Sequence, residues 1–159
     1  MEPLLPARSS TLPRRAARLV GVNTRETVDE LLRRIAAGDP ERIGQLFADE
    51  VDWKLDWPDG DYTQTVPWIR RRSTRADAAG NFREIAEHHV PGESDARVHA
   101  VLVDGTDAVV LGEVAHTAKP TGRPYVAAFA LHLTVVDGLI TRYHIYEDSL
   151  AVARAFDVV

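Results

Sequence analysis

Two glutamates in the second half of the chain are the strongest candidates for acid/base chemistry. Glu147 ends the segment LITRYHIYE. Strand alternation would put it on the same side as a mostly apolar row, formed by Leu139, Thr141, Tyr143 and Ile145. If that side is buried, the pKa of the Glu147 carboxyl rises and the group can act as a general acid or base. The alternative is a glutamate that meets water at the end of a strand.

Glu113 lies in the middle of an earlier predicted strand. Its row is otherwise mostly apolar and consists of Val109, Leu111, Ala115 and Thr117. A carboxylate there must be paired or line a cavity, so a pocket position, an inter-strand ion pair and a dimer contact all remain open. His116 falls in the opposite row. Its imidazole could shuttle protons, although its place near the strand end also suits an exposed or capping residue.

Asp56 is the third candidate carboxylate. The segment VDWKLDW alternates apolar and polar residues, and strict alternation points Asp56 away from the apolar face. A bulge before Pro58 could turn the side chain inward. In that orientation, Asp56 would assist the two glutamates in acid/base catalysis.

Aromatic residues could supply the surface that binds a substrate. All three tryptophans lie between residues 53 and 68. A tryptophan belongs to the core by default, but this cluster also suits a flat polycyclic substrate at the opening of a pocket. Tyr125 could donate a hydrogen bond to a developing enolate. The predicted substrate-binding residues are Trp53, Trp57, Trp68, Tyr125, Phe129 and Tyr143.

The composition excludes several other kinds of chemistry. The 159 residues contain no cysteine, which rules out a disulfide scaffold, a thiolate metal site and a cysteine nucleophile. The histidines lack a metal-binding spacing, so we expect no metal and no other cofactor. The net charge of -5 argues against nucleic acid, and no apolar run approaches the roughly 20 residues of a membrane span. We expect a cytoplasmic protein without nucleic-acid or membrane partners.

The first half of the chain predicts helices and one strand. Residues 1–22 hold three of the nine prolines and no sustained period, which indicates a flexible extension before a domain of residues 23–159. A helix should begin near Asn23 and end at Gly38, and Asp39 should cap a second helix that includes Phe47. A strand over 51–57 and a helix over 74–89 follow.

The second half predicts a four-strand antiparallel meander. Asp104-Gly105 and Asp137-Gly138 are strong hairpin signals between alternating segments. A short helix follows at SLAVARAF. The element order predicts an α+β fold, in which helices pack on the concave face of a curved antiparallel sheet.

Three stretches of the sequence resemble a known family. DPERIGQLFADEVDWKLDWP, TGRPYVAAFALHLTVVDGLITRYHIYED and SLAVARAF are similar to the SnoaL-like polyketide cyclase branch of the superfamily of ketosteroid isomerases and nuclear-transport-factor-2-like proteins. The resemblance spans residues 25 to 156. It implies a cone-shaped α+β barrel whose helices close one end around an apolar pocket. It also implies a homodimer formed through the sheet.

We therefore expect a cofactor-free cyclase or isomerase. Its substrate would be a small apolar, carbonyl-bearing, polyketide-like intermediate of specialised metabolism. The acid/base residues would be Glu147, Glu113, Asp56 and His116. Two alternatives remain: a non-catalytic small-molecule binding or dimerisation module of the same fold, and an epoxide hydrolase. The hydrolase would need Arg97 or Arg142 to converge with two carboxylates.

Overall fold

The computed structural model describes the backbone of residues 14–159 and the side chains from residue 23 onward. Its helices are α1 (Arg14–Ala37), α2 (Pro40–Gly44), α3 (Arg75–His88) and α4 (Ser149–Ala155). Its strands are β1 (Phe47–Leu55), β2 (Asp95–Asp104), β3 (Asp107–Thr117), β4 (Pro124–Val136) and β5 (Leu139–Glu147). Of the predicted extension, residues 1–13 lie outside the described residues, and α1 begins at Arg14, earlier than expected.

The five strands form one curved sheet in the order β1-β5-β4-β3-β2. The predicted meander is confirmed, since β2, β3, β4 and β5 pair antiparallel in succession. β1, however, pairs parallel with β5, so the sheet is mixed where sequence analysis predicted an antiparallel one. The long connection through α3 separates β1 from the meander and lets β1 join its far edge in the same direction as β5. The sheet is open, with β1 and β2 as its edges, and is not a closed barrel.

Local signals set most element ends. Gly38 has a φ of +71°, which ends α1, and the Asp39 side chain caps α2 by accepting from the Arg42 amide at 3.1 Å. The second hairpin turn has positive φ at both Asp137 (50°) and Gly138 (76°), as a two-residue turn between twisted strands requires. The sequence prediction was wrong at Phe47. That residue begins β1 and pairs with Ile140, because the ladder to β5 competes with the end of α2.

The helices cover one face of the sheet, here called the inner face. Two apolar clusters form there, one around α1 and one around α4 and the loop of residues 56–74. The first contains Val28, Leu31, Val110, Leu131 and Leu133, and the second contains Val66, Trp68, Ala127, Val152 and Phe156. In residues 14–159, no helix has the length and apolar character that crossing a membrane requires.

Gly112 explains why the inner row of β3 looked weakly apolar in the sequence. A Cβ atom at this position would lie 2.9 Å from Cζ of Phe129 and 2.4 Å from the carbonyl oxygen of Arg97. The Phe129 ring therefore occupies the space above Gly112. The inner row is completed by the neighbouring strand, and Glu113 belongs to the opposite, outer face with Leu111.

Candidate active site

Glu147 is the inward-facing carboxyl group predicted from the sequence. It lies at the end of β5 opposite Phe129, and Nε1 of Trp57 donates a hydrogen bond to its Oε1 at 2.8 Å. Burial raises the pKa of Glu147, and the nearby Asp148 adds to the rise. The Trp57 hydrogen bond opposes it in part. Glu147 is thus a desolvated carboxyl group with one polar partner that favours its ionised form.

Two tyrosines lie on opposite sides of Glu147 along the inner face. Tyr143 precedes it by two inward positions on β5, and Tyr125 lies two inward positions beyond Phe129 on β4. Four strand residues span roughly 13 Å, so Glu147 lies near the middle of a long polar axis in an apolar surface. Burial and the charge of Glu147 raise the pKa values of both phenols, which remain protonated at neutral pH.

Tyr143 packs within an aromatic group. Its ring stacks on Trp53, with centroids 4.1 Å apart and planes at 11°, and Phe82 meets it edge-on. Among residues 23–159, neither the Tyr143 hydroxyl nor the buried Nε1 of Trp53 has a hydrogen-bond partner. A buried donor without a partner is costly in a folded protein. This end of the inner face therefore holds two donors whose protons are uncommitted.

The three tryptophans have different surroundings. Trp53 and Trp57 are half-buried on the inner side, and Trp57 meets Tyr62 edge-on at 5.1 Å. Trp68 is 5% exposed and packs against Phe156, so it is a core residue. Trp53 and Trp57 can therefore contribute to a ligand surface, while Trp68 supports it from behind.

His116 faces inward, together with a histidine that sequence analysis did not select. Burial lowers the pKa of His116 to about 4, and its Nδ1 lies 2.8 Å from Oγ of Ser94. The ring of His89 is 4.5 Å away, and Nε2 of His89 lies 2.7 Å from Oη of Tyr125. His89 sits at the end of α3, directly after an amphipathic helix, and the sequence holds no signal that singles it out.

Glu113 and Asp56 do not join this group. Glu113 lies on the outer face, 3.9 Å from Nε2 of His99. Asp56 is exposed and lies 3.7 Å from Nζ of Lys54. The chain does bend before Pro58, where the Trp57 amide donates to the Leu55 carbonyl at 3.0 Å, but the bend turns Trp57 inward and leaves Asp56 outside.

The arginines considered for epoxide hydrolysis also lie on the outer side. Nε of Arg142 is 2.9 Å from Oδ2 of Asp52, and Asp52 also contacts His144 at 2.9 Å. Arg97 pairs in register with Glu113. Neither arginine converges with Glu147. Within residues 23–159, no three histidine or carboxylate side chains form a group that could hold a metal ion.

Comparisons with known proteins agree with this fold. The sequence profile of the SnoaL-like domain matches residues 28–143. An NTF2-like protein from Burkholderia xenovorans is 19% identical with a TM-score of 0.68, over 86% of this chain and 97% of that one. A protein assigned as a ketosteroid isomerase from Kribbella flavida is 24% identical with a TM-score of 0.56. The match covers 80% of this chain and 78% of that one.

An LEH-like epoxide hydrolase from M. tuberculosis has a similar architecture. It is 14% identical with a TM-score of 0.63, over 87% of this chain and 92% of that one. Nothing among the curated proteins matches the chain. At these identities, the structural likenesses establish a nuclear-transport-factor-2-like fold, and this fold carries many chemistries.

Proposed function

The chain belongs to the SnoaL-like domain family, and we propose that it is a cofactor-free isomerase or cyclase that moves protons on an apolar carbonyl compound. The observation that carries the proposal is Glu147, a half-buried carboxyl group that faces inward opposite Phe129. Burial raises the pKa of this carboxyl group toward neutral pH, where a general base works best. The surrounding Trp57, Phe129 and Tyr143 form an apolar surface that suits a polyketide-like or polycyclic ligand.

The reaction would begin with proton transfer to Glu147. The carboxylate takes a proton from the carbon next to a substrate carbonyl, which leaves an enolate and a neutral carboxylic acid. Tyr143, whose hydroxyl proton is uncommitted, donates a hydrogen bond to the enolate oxygen. Desolvation strengthens this hydrogen bond, because no water competes for the developing charge.

The second half of the reaction returns the proton. In the isomerisation of a β,γ-unsaturated ketone, the enolate is a dienolate, and the Glu147 acid protonates its γ-carbon. In a cyclisation, the enolate carbon attacks a second carbonyl of the same molecule and forms a carbon–carbon bond, and the acid then protonates the resulting alkoxide. Either course restores the Glu147 carboxylate without an external reductant or oxidant.

Exchange of carbon-bound hydrogen tests the first step directly. The protein is incubated in D2O with a panel of apolar ketones that includes 2-tetralone, and deuterium uptake is followed by NMR. We expect Glu147→Gln to abolish catalysed exchange, whereas Glu113→Gln, on the outer face, should retain it. Ketone binding without exchange in the unmodified protein would favour the binding module instead.

We also propose that two copies associate through the outer face of the sheet. No helix of the described residues covers this face, and it exposes Leu102 by 59%, Val126 by 57% and Tyr146 by 41%. Leu102→Glu should yield a monomer in analytical ultracentrifugation. Leu150→Glu, at a leucine of α4 that is 49% exposed, is the control.

A further inference from the structure

The hydrogen bonds of His89 determine whether the Tyr125 hydroxyl donates or accepts in its contact with this histidine. His89 is 3% exposed and lies among Trp68, His116 and Phe156. Its Nδ1 lies 2.6 Å from the carbonyl oxygen of Ile85 in the last turn of α3. A carbonyl oxygen can only accept, so Nδ1 carries a hydrogen.

The other ring nitrogen must then be an acceptor. Burial lowers the pKa of His89 by more than the Ile85 hydrogen bond raises it, and the adjacent His88 lowers it further, so the imidazole is neutral at neutral pH. A neutral imidazole with a hydrogen on Nδ1 has a lone pair on Nε2. Tyr125 lies 2.7 Å from that nitrogen, and its hydroxyl therefore donates to His89.

We propose that Tyr125 serves the bound molecule as a hydrogen-bond acceptor, oriented by His89, and that the site selects ligands with a hydroxyl or N–H group at this end. This inference rests on the proposed function for the location of the ligand. It also reverses the expectation from the sequence that Tyr125 donates to an enolate, because its only proton is already engaged. Tyr143 remains the uncommitted phenolic donor at the opposite end of the axis.

The two phenols therefore define the polarity of a suitable substrate. A suitable ligand would present its carbonyl oxygen on the Tyr143 side of Glu147 and a hydroxyl or N–H group on the Tyr125 side. Tyr125 is partly exposed and lines a hollow of about 300 Å³ between β4 and α4. A ligand with a hydroxyl or N–H group at this end gives Tyr125 a partner, whereas a fully aliphatic or fully alkylated compound leaves Tyr125 without one.

The tautomer is tested first, without any ligand. In protein labelled with nitrogen-15 in histidine, the His89 signals are assigned by their loss in His89→Gln. We expect a protonated, pyrrole-type shift at Nδ1 and an unprotonated, pyridine-type shift at Nε2 at pH 7.5. Tyr125→Phe should move the Nε2 signal and leave Nδ1 in place. A hydrogen on Nε2 at this pH would overturn the proposal.

The ligand preference is tested with a matched pair of probes, 2-naphthol and 2-methoxynaphthalene. Calorimetric titration should show 2-naphthol bound about fivefold more tightly, as one neutral hydrogen bond allows. Tyr125→Phe should remove this preference, and Tyr146→Phe, on the outer face, should keep it. Equal affinity of the unmodified protein for both probes, or a preference that survives Tyr125→Phe, would contradict the proposal.

The same titration separates this inference from the proposed catalysis. Glu147→Gln should lose deuterium exchange while it retains the preference for 2-naphthol. Retained preference together with absent exchange in the unmodified protein would reject the catalytic role and leave the role of Tyr125 intact. Normal exchange without any preference for 2-naphthol would reject the proposed role of Tyr125 and leave the catalytic role of Glu147 intact.

Discussion

The indole nitrogen of Trp57 lies 2.8 Å from Oε1 of Glu147 and joins the loop after β1 to the end of β5. The two residues are 90 positions apart in the chain. Within residues 23–159, this hydrogen bond supplies the one polar partner that the structure records for the half-buried carboxyl group. It therefore opposes part of the rise that burial causes in the pKa of Glu147.

Replacing Trp57 with phenylalanine should raise the pKa of Glu147 further. The hydrogen bond favours the carboxylate, so its loss leaves desolvation unopposed. The pKa is measured by carbon-13 NMR titration of the glutamate side-chain carboxyls. Tyr62→Phe keeps the aromatic contact with Trp57 and should leave the titration unchanged. An unchanged pKa in Trp57→Phe would show that the hydrogen bond has no part in tuning Glu147.

Glu147→Gln should stabilise the protein increasingly as the pH rises. The pKa of Glu147 is higher in the folded than in the unfolded chain, so ionisation costs stability only above the unfolded value. At pH 4 the variant and the parent should have similar urea midpoints, and the difference should grow toward pH 8. Glu113→Gln should show no such trend. A constant difference across this range would indicate that Glu147 is not desolvated.

His116 should make the protein sensitive to acid. Its pKa of about 4 lies below the unfolded value of 6.5, so the folded state resists protonation between these values. Stability is complete above pH 6.5 and falls as the pH drops toward 4, by about 3 kcal/mol for this residue. Urea unfolding of His116→Gln should lose much of this decline. The exposed His99→Gln should retain it, and identical profiles for both variants would contradict the prediction.

Gly112→Ala should destabilise the fold. The added methyl group would overlap the Arg97 carbonyl oxygen at 2.4 Å and the Phe129 ring at 2.9 Å, and the backbone contact cannot be relieved by a rotamer change. Overpacking of this kind costs about 1–3 kcal/mol. Thermal unfolding should show a lower Tm. Glu113→Ala, at the next residue on the outer face, should shift Tm far less, and equal shifts would argue against the close packing of Phe129.

Local patterns predicted the elements of this protein well. Alternation in the second half of β5, from Tyr143 onward, identified the inward position of Glu147. At the start of the strand the prediction was wrong, because a register shift against β4 buries Ile140, which alternation had assigned to the outer row. The hairpin at Asp137 and the cap at Asp39 follow from local backbone preferences. Each of these features depends on a few neighbouring residues, which the sequence contains in full.

The row assignment of β3 required the tertiary structure. In the sequence, Glu113 shares the more apolar row, while the other row contains Gly112 and His116. The neighbouring strand supplies the missing apolar bulk through Phe129, so the row that looks poorer in the sequence is the inner one. Alternation separates two rows but does not state which of them the helices cover.

The sequence by itself determined the order of helices and strands and the inward position of the Glu147 carboxyl group. The tertiary structure decided that β1 runs parallel to β5, that Trp57 contacts Glu147, and that Nε2 of His89 lies within hydrogen-bonding distance of the Tyr125 hydroxyl. These relationships join distant parts of the chain. They depend on how the two edges of the sheet, the helix ends and the loops pack together, and no local period encodes that packing.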